Sequence, residues 1–243
     1  MAPGPFLCER VPEFLNRILH LSLTALTVAV FLISAYCVYD AGYLYYHAGN
    51  KPYRENKPRD HQTVTSERQI SDDQAAWLYI DGTGIDDPVM QADNNIKYLN
   101  LDPYGDFALH GSLFLDYRNN SDFTDRYSII YGHHMEHGLM FGCLDEYRDA
   151  SFAKDHRDGT VTGREEIYHM HIFAVLETDA HDPVFFDPEK FDREKLMDKA
   201  KDSSFFFEEP EKDNPILCLS TCTDSVGSSR LVVLGTLRKG EQQ

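Results

Sequence analysis

This sequence lacks the paired cysteine spacings that hold a structural metal or a disulfide framework. Its cysteines are odd in number and scattered: Cys8, Cys37, Cys143, Cys218 and Cys222. Cys218 and Cys222 cannot bond to each other within an extended strand, because four residues at about 3.3 Å each separate them by roughly 13 Å. A bond between Cys143 and Cys218 remains open. The pattern therefore argues against a disulfide-stapled fold.

Positive charge is scarce in the chain. There are 23 Lys and Arg against 40 Asp and Glu, which gives a formal net charge of −17. The charges within residues 1–39 cancel, so the whole excess belongs to the rest of the chain. An acidic surface repels phosphates, which argues against nucleic acid as a partner. Such a surface either attracts basic substrates and amines or only keeps the domain soluble.

Charged residues are absent from residues 18–39, a run of 22 residues. At 1.5 Å per helical residue this run is long enough to cross about 30 Å of hydrocarbon. It predicts a retained membrane helix after a short N-terminus at residues 1–17. A cleaved signal peptide is the rival interpretation, but the run is long for one and no small-x-small cleavage site clearly follows it.

The positive-inside rule does not orient this helix. Arginines precede the span, and a larger set of cations follows it: Lys51, Arg54, Lys57 and Arg59. The count of cations therefore does not favour an external position for the rest of the chain. Residues 40–72 are polar and read as a spacer, with a helix predicted from Ser66 to Gln74.

Residues 73–243 are dominated by strand-like runs. The predicted strands are residues 76–80, 89–91, 112–115, 127–131, 160–162, 167–177, 216–222 and 231–237. Short helices are predicted at residues 94–99 and 139–147. An acidic insertion at 179–215 contains Asp187-Pro188-Glu189, a helix-start signal, and predicts a helix to about Lys201. This order indicates one mainly β domain with peripheral helices.

The most informative stretch is the predicted strand at residues 216–222, which ends at Cys222. A polar turn at residues 224–229 joins it to the next strand, which begins near Arg230. A thiol at one strand end and a guanidinium at the adjoining strand start can face the same pocket. A nearby cation raises the thiolate fraction of a cysteine, so Cys222 is the candidate nucleophile.

A general acid or base is offered by two adjacent histidines, His133 and His134. They follow the apolar strand at residues 127–131. Successive side chains of a strand point to opposite faces, so only one of the two imidazoles can enter the pocket. Periodicity alone does not choose between them.

The same histidines also fit a zinc peptidase pattern. His133-His134-Met135-Glu136-His137 matches H-x-x-E-H, in which His133, Glu136 and His137 would serve a metal. That pattern requires a helix, which places both histidines on one face. A strand-like run precedes it here and Gly138 closes it, so a helix is disfavoured.

Several of these segments resemble the motifs of sortases, the cell-wall transpeptidases of Gram-positive bacteria. The resemblance rests on Tyr131-Gly132-His133, on Leu219-Ser220-Thr221-Cys222 and on Arg230. It extends to further segments at residues 88–91, 95, 98–99, 111–116 and 138–142, and so covers roughly residues 75–237. The acidic insertion before the cysteine strand makes the chain similar to class B in particular.

The resemblance implies a closed β-barrel decorated by helices and an activity that needs no cofactor. It implies that Cys222 attacks the threonine carbonyl of a sorting motif, Arg230 holds the oxyanion or the substrate, and His133 protonates the departing amine. The sorting motif is expected to be of the Asn-Pro-x-Thr type or a relative. An amine of peptidoglycan or of a pilin lysine then resolves the thioester. Sortases are inserted with a cytoplasmic N-terminus, which implies an extracellular catalytic domain at residues 73–243.

The resemblance also suggests which residues line the peptide groove: Asn95, Leu99, Ser220 and Thr221. Asp116 and Asp224 are candidates for orienting His133 or Arg230. Two other functions remain open. A cysteine peptidase would hydrolyse the same acyl-enzyme, since transfer and hydrolysis share that intermediate. A non-catalytic binding module would form no adduct at Cys222.

Overall fold

The computed structural model describes residues 6–58, 68–222 and 227–240, with the backbone only for residues 6–12 and 222. Two compact units follow each other along the chain. The first ends at His47 and the second begins at Ala48.

The first unit is helical. Helix α1 spans Phe6–Gly49, and its apolar side chains from Phe14 to Tyr46 are largely exposed. In the described part of the chain it is the one helix long and apolar enough, by length and composition, to cross a membrane. The predicted span at residues 18–39 lies wholly within it.

The second unit is built from nine strands. They are β1 Gln74–Ile80, β2 Asp86–Met90, β3 Leu113–Leu115, β4 Tyr127–Tyr131, β5 Asp158–Gly163, β6 Ile167–Asp179, β7 Ser204–Phe207, β8 Ile216–Cys222 and β9 Ser229–Lys239. Their order in the sheet is β5-β1-β2-β3-β4-β8-β9-β6-β7, and β5 also pairs with β6. Eight strands therefore close into a barrel, and β7 stands beside it as a ninth. The predicted mainly β, closed-barrel fold is confirmed.

Strand β6 makes the closure possible because it is long enough to serve three neighbours. It has 13 residues and pairs with β9 from Tyr168 to Asp179. Along its other edge the first half pairs with β5 and the second half with β7. A register shift between Ile172 and Ala174 interrupts the β6–β9 ladder, as a bulge does where a strand bends.

The described core has two large layers, separated by the strands of the barrel, and a small third cluster that contains Met90, Tyr98 and Phe114. Alternate residues of β8 and β9 show the division, since Leu217, Leu219 and Val233 pack inside the barrel. Cys218 and Val232 belong to the other layer, on the outer face, which the insertion covers. Period-two alternation thus buries both faces of these central strands, which explains their continuous apolar sequence.

The insertion before β8 contains more elements than the sequence predicted. The helix predicted from residue 187 to about Lys201 is present as α4 at Arg193–Ser203, but its predicted start was wrong, because the chain first forms a 3₁₀ turn at Pro188–Lys190. Asp192 caps α4 by accepting a hydrogen bond from the Lys195 N–H. Helix α3 at Pro183–Phe186 and strand β7 were not predicted. Helix α2, at Ala150–Asp155, was also missed.

The other helices are shorter than predicted or differ in type. Residues 94–99 give only a 3₁₀ turn at Lys97–Leu99, and residues 139–147 correspond to a 3₁₀ helix at Phe141–Arg148. The helix predicted from Ser66 to Gln74 was wrong where it is described: residues 68–73 are not helical, and Gln74 begins β1. Residues 66 and 67 lie outside the described part.

Residues 48–58 belong to the second unit and pack on the barrel. They include a 3₁₀ turn at Pro52–Asn56. The Lys51 ammonium lies 2.7 Å from Oδ2 of Asp87, and the Tyr53 hydroxyl donates to Oδ1 of the same carboxylate at 2.7 Å. Lys57 pairs with Asp86 at 2.6 Å. These contacts fix the start of the unit on β2.

Candidate active site

Three strand ends meet at one rim of the barrel. Strands β4 and β8 are parallel neighbours, with Tyr131 opposite Ser220, so their carboxyl ends lie at the same edge. Strand β9 runs antiparallel to β8 and begins at this edge, with Arg230 opposite Cys222. The topology therefore brings the residues after Tyr131, the end of β8 and the start of β9 together.

His133 follows β4 through Gly132, whose N–H donates to the Ser220 carbonyl at 3.1 Å. The half-buried imidazole places Nε2 2.8 Å from the Leu99 carbonyl oxygen. A carbonyl only accepts, so this hydrogen bond requires a proton on Nε2 and leaves Nδ1 to gain or lose one. The loop is held in turn by Phe141, whose N–H donates to the His133 carbonyl.

His134 is turned toward a different partner. Its Nε2 lies 2.6 Å from Oδ2 of Asp145, and it does not line the groove that holds His133. The structure thus separates the two histidines that periodicity left undecided. Only His133 shares a surface with Arg230.

The zinc alternative lacks the helix that it needs. Residues 133–135 are not helical, and Glu136–Gly138 forms a single 3₁₀ turn in which His137 has φ 60°. His133 and His134 face Leu99 and Asp145 respectively. Among the described residues, no group of three or more His, Cys, Asp or Glu is arranged to hold a metal ion.

Arg230 lies half-buried at the start of β9. Its Nη1 donates to the carbonyl of Ser229 at 2.9 Å and to that of Gly227 at 3.3 Å. These bonds use one nitrogen of the guanidinium to anchor the side chain at the rim. Arginine carries five N–H donors in a rigid fork, and among the described residues only those of Nη1 have a partner, which leaves the others for a ligand.

A groove of about 390 Å³ runs along this rim. It is lined by the predicted site residues His133 and Arg230 and by all four predicted peptide-contacting residues: Asn95, Leu99, Ser220 and Thr221. The hydroxyls of Ser220 and Thr221 are buried there, and neither has a hydrogen-bond partner in the described part of the chain. Ser220 and Thr221 are consecutive residues of β8, so their side chains lie on opposite faces of the strand.

Asp116 plays a different part from the one suggested by the sequence. It was a candidate for orienting His133 or Arg230, but its hydrogen bonds go to Arg118, Asn95 and Tyr131. Burial alone raises the pKa of this carboxyl, and the hydrogen bonds from those three side chains outweigh it, so the pKa is lowered. Asp224 lies outside the described residues.

Sequence reasoning missed part of the groove wall. The unpredicted lining residues are Phe114, Tyr131, Gly132, Ala180 and Phe186. Tyr131 and Gly132 precede His133 directly in the Tyr131-Gly132-His133 motif, so the sequence did indicate that they lie near the groove. Ala180 and Phe186 come from the β6–β8 connection, and nothing in their local sequence indicates a contact with the rim.

The buried cysteines are free thiols, which answers the question of pairing. Cys143 and Cys218 are unbonded and lie in different layers of the core. Burial raises the pKa of each thiol to about 12. Both are therefore protonated at neutral pH and are poor nucleophiles.

A closed barrel whose rim holds an imidazole and a guanidinium, beside a strand that ends in cysteine, is suited to acyl transfer through a thiol. Comparisons with known proteins agree. Residues 78–238 match the model of the sortase domain family. Sortase B of Listeria monocytogenes is 35% identical over 178 residues, covering 70% of this chain and 72% of that protein. Sortase B of Staphylococcus aureus is 30% identical over 179 residues, with the same two coverages.

Solved structures give the same result. A Streptococcus pyogenes class B sortase involved in pilus biogenesis has a TM-score of 0.65 and 35% identity, over 70% of this chain and 94% of that one. The Staphylococcus aureus sortase B–substrate complex has a TM-score of 0.65 and 29% identity, over 71% and 82%. The chain belongs to the sortase family. It is a class B sortase, a cysteine transpeptidase whose family joins surface proteins bearing sorting signals to an amine acceptor.

Proposed function

We propose that His133, Cys222 and Arg230 are the catalytic residues of this transpeptidase. The observation that carries the proposal is the groove, which His133 and Arg230 line together beside the strand that ends at Cys222. Backbone register sets Cys222 opposite Arg230 across the β8–β9 ladder. The protonated thiols of Cys143 and Cys218 are poorly suited to the same role.

The first half-reaction cleaves the sorting motif after threonine. The Cys222 thiolate attacks the threonine carbonyl carbon, and a C–S bond forms while the oxygen gains the negative charge. Arg230 stabilises this oxyanion. Removing one donor of this kind typically raises the activation free energy by about 2.7 to 4 kcal/mol. The C–N bond then breaks, and His133 gives its Nδ1 proton to the departing amine. A thioester remains.

The second half-reaction transfers the acyl group to an amine. The acceptor nitrogen attacks the thioester carbonyl, and its proton passes to Nδ1 of His133. The C–S bond breaks, and the thiolate returns. The acceptor is an amine of peptidoglycan; a pilin lysine is the second candidate, because one similar class B sortase is involved in pilus biogenesis.

The sorting peptide lies in the groove against Asn95, Leu99, Ser220 and Thr221. Support comes from their shared position on its lining. The peptide carries a sorting motif of the Asn-Pro-x-Thr type or a relative. The protein is anchored by residues 18–39, with residues 1–17 cytoplasmic, residues 40–72 as the link and the catalytic domain of residues 73–243 outside the cell.

Mass spectrometry of the trapped acyl-enzyme tests the proposal. The full-length protein is offered a library of sorting peptides, and an adduct ending in threonine is expected on Cys222. Cys222→Ala should form none, while Cys143→Ala and Cys218→Ala should still form it. An adduct on Cys143 or Cys218 would show that the nucleophile is wrongly assigned.

The same experiment, repeated with and without an amine, separates transfer from hydrolysis. A transpeptidase yields the amide product when the amine is present. Release of free acid at an unchanged rate in both arms would instead identify a cysteine peptidase.

A further inference from the structure

One buried ion pair connects both walls of the groove. Asp116 is fully buried, and the guanidinium of Arg118 donates to it twice, from Nε at 2.9 Å and from Nη2 at 2.8 Å. The backbone N–H of Arg118 adds a third bond at 3.0 Å. This bidentate arrangement fixes the orientation of the guanidinium plane as well as the position of its charge.

On the barrel side, the pair holds two residues that line the groove. Nδ2 of Asn95 donates to Oδ2 of Asp116 at 2.9 Å, and the Tyr131 hydroxyl donates to the same oxygen at 3.0 Å. Oδ1 of the same Asn95 amide accepts a hydrogen bond from the backbone N–H of Tyr117 at 3.0 Å. The orientation of the Asn95 side chain is therefore set from both ends.

On the other side, Arg118 reaches the β6–β8 insertion. Its Nη2 also donates to the carbonyl of Phe186 at 3.0 Å, and its Nη1 lies 3.5 Å from Oδ1 of Asp187. Phe186 lines the groove as Asn95 does, but it belongs to the β6–β8 insertion, whereas Asn95 precedes β3. Arg118 itself is not among the lining residues.

We propose that Arg118, through its pair with Asp116, is a positioning residue that sets the spacing between the Asn95 wall and the Phe186 wall for the sorting peptide. The inference rests on the proposed function for the identity of the ligand. Arg118 touches no reacting atom, so its effect belongs to binding rather than to the chemistry of Cys222. An interaction of this kind changes KM more than kcat.

Arg118→Lys keeps the positive charge but loses the planar, bidentate donor geometry of the guanidinium. One ammonium cannot donate to both oxygens of Asp116 and reach the Phe186 carbonyl in the same plane. In full-length protein carrying Cys222→Ala, Arg118→Lys should raise the Kd of the peptide that forms the Cys222 adduct by about tenfold, as expected for one lost charge-assisted hydrogen bond. With Cys222 present, KM should rise similarly and kcat should change by less than about threefold.

Arg157→Lys is the matched control. Arg157 is also a partly buried arginine in an ion pair, with Glu208, but it does not line or adjoin the groove. It should leave the Kd unchanged. Asn95→Ala combined with Arg118→Lys should be non-additive, because Arg118 acts in part through Asn95, whereas Asn95→Ala with Arg157→Lys should be additive.

Hydrogen–deuterium exchange supplies a readout that needs no substrate. Arg118→Lys should speed amide exchange in both residues 94–99 and residues 183–187, and Arg157→Lys should not. If Arg118→Lys weakens the fold too far for this comparison, Tyr131→Phe removes a single bond to Asp116 and should give a smaller change of the same sign. A Kd within twofold of the parent, or exchange altered in neither wall, overturns the proposal. Absence of any Cys222 adduct alongside altered exchange would instead count against the proposed function.

Discussion

Gly132 determines how His133 reaches the groove. A Cβ at this position would lie 2.5 Å from Cδ2 of Leu113 and 2.7 Å from Cδ2 of Phe141. Both neighbours are buried in the barrel interior and have little room to move. The chain can therefore leave β4 at this point only without a side chain, and the backbone that follows delivers the imidazole to the Leu99 carbonyl.

Gly132→Ala should both destabilise the protein and lower its activity. Overpacking of this kind costs about 1 to 3 kcal/mol, and relief of the clash shifts the His133 backbone. The free energy of unfolding in urea and the rate of transpeptidation measure the two effects. Gly84→Ala is the matched control, because its nearest neighbour would be a backbone oxygen at 3.4 Å. Equal losses in both variants would contradict the assigned packing role.

Residue chemistry could be read from the sequence only where it depends on near neighbours in the chain. Cys222 and Arg230 are register partners across β8 and β9, and the short polar stretch between them in the chain made that pairing visible in the sequence. The preference for His133 over His134 needed the resemblance, since alternation permits either. The contact between Arg118 and the insertion could not be predicted, because Phe186 lies 68 positions after Arg118 and meets it only in the folded protein.

At the scale of elements, the insertion shows why a helix boundary was misjudged. Asp187-Pro188-Glu189 is a valid start signal, but Asp182 and Asp192 compete with it as helix caps. Each accepts a backbone N–H from the turn that follows, so α3 forms before the predicted start, and the predicted helix is replaced by a 3₁₀ turn and α4. Propensity could not rank these starts, since the outcome depends on which faces α3 and α4 bury against β6 and β8.

The Asp116–Arg118 pair joins these elements and should make stability depend on acid pH. The pKa of Asp116 is lowered in the folded protein, so the pair's contribution is fully present above the ordinary carboxyl pKa and is lost as the pH falls through the lower, folded value. Breaking a pair of this kind costs about 3 kcal/mol or more. Asp116→Asn should therefore cost most near pH 7, and the difference from the parent should shrink as the solution is acidified toward pH 2.

Chemical denaturation at a series of pH values measures this difference. Asp155→Asn is the control, because Asp155 is an exposed carboxylate at the end of α2. Its replacement should change the free energy of unfolding by less than about 0.5 kcal/mol at every pH. A penalty for Asp116→Asn that stays constant down to pH 2 would show that the carboxylate charge is not what holds the two walls.

At the scale of the whole molecule, the barrel was predictable but the orientation of the chain was not. Eight strand-like runs and their turns appear in the sequence, and the resemblance supplied their closure. The charge count does not favour an external catalytic unit, because Lys51, Arg54 and Lys57 follow the apolar span. In the structure these cations serve the fold of the second unit, since Lys51 and Lys57 pair with Asp87 and Asp86, and Arg54 donates to the Asp86 carbonyl.

The catalytic unit is expected outside the cell in spite of those cations. The expectation rests on the family resemblance, because the positive-inside rule counts Lys and Arg whether or not carboxylates lie beside them and does not favour an external unit here. Protease added to intact protoplasts should digest residues 48–243 and leave a membrane fragment that contains α1. A cytoplasmic marker protein in the same sample should remain whole until the membrane is lysed. Digestion only after lysis would place the barrel inside, where no cell-wall acceptor could reach Cys222.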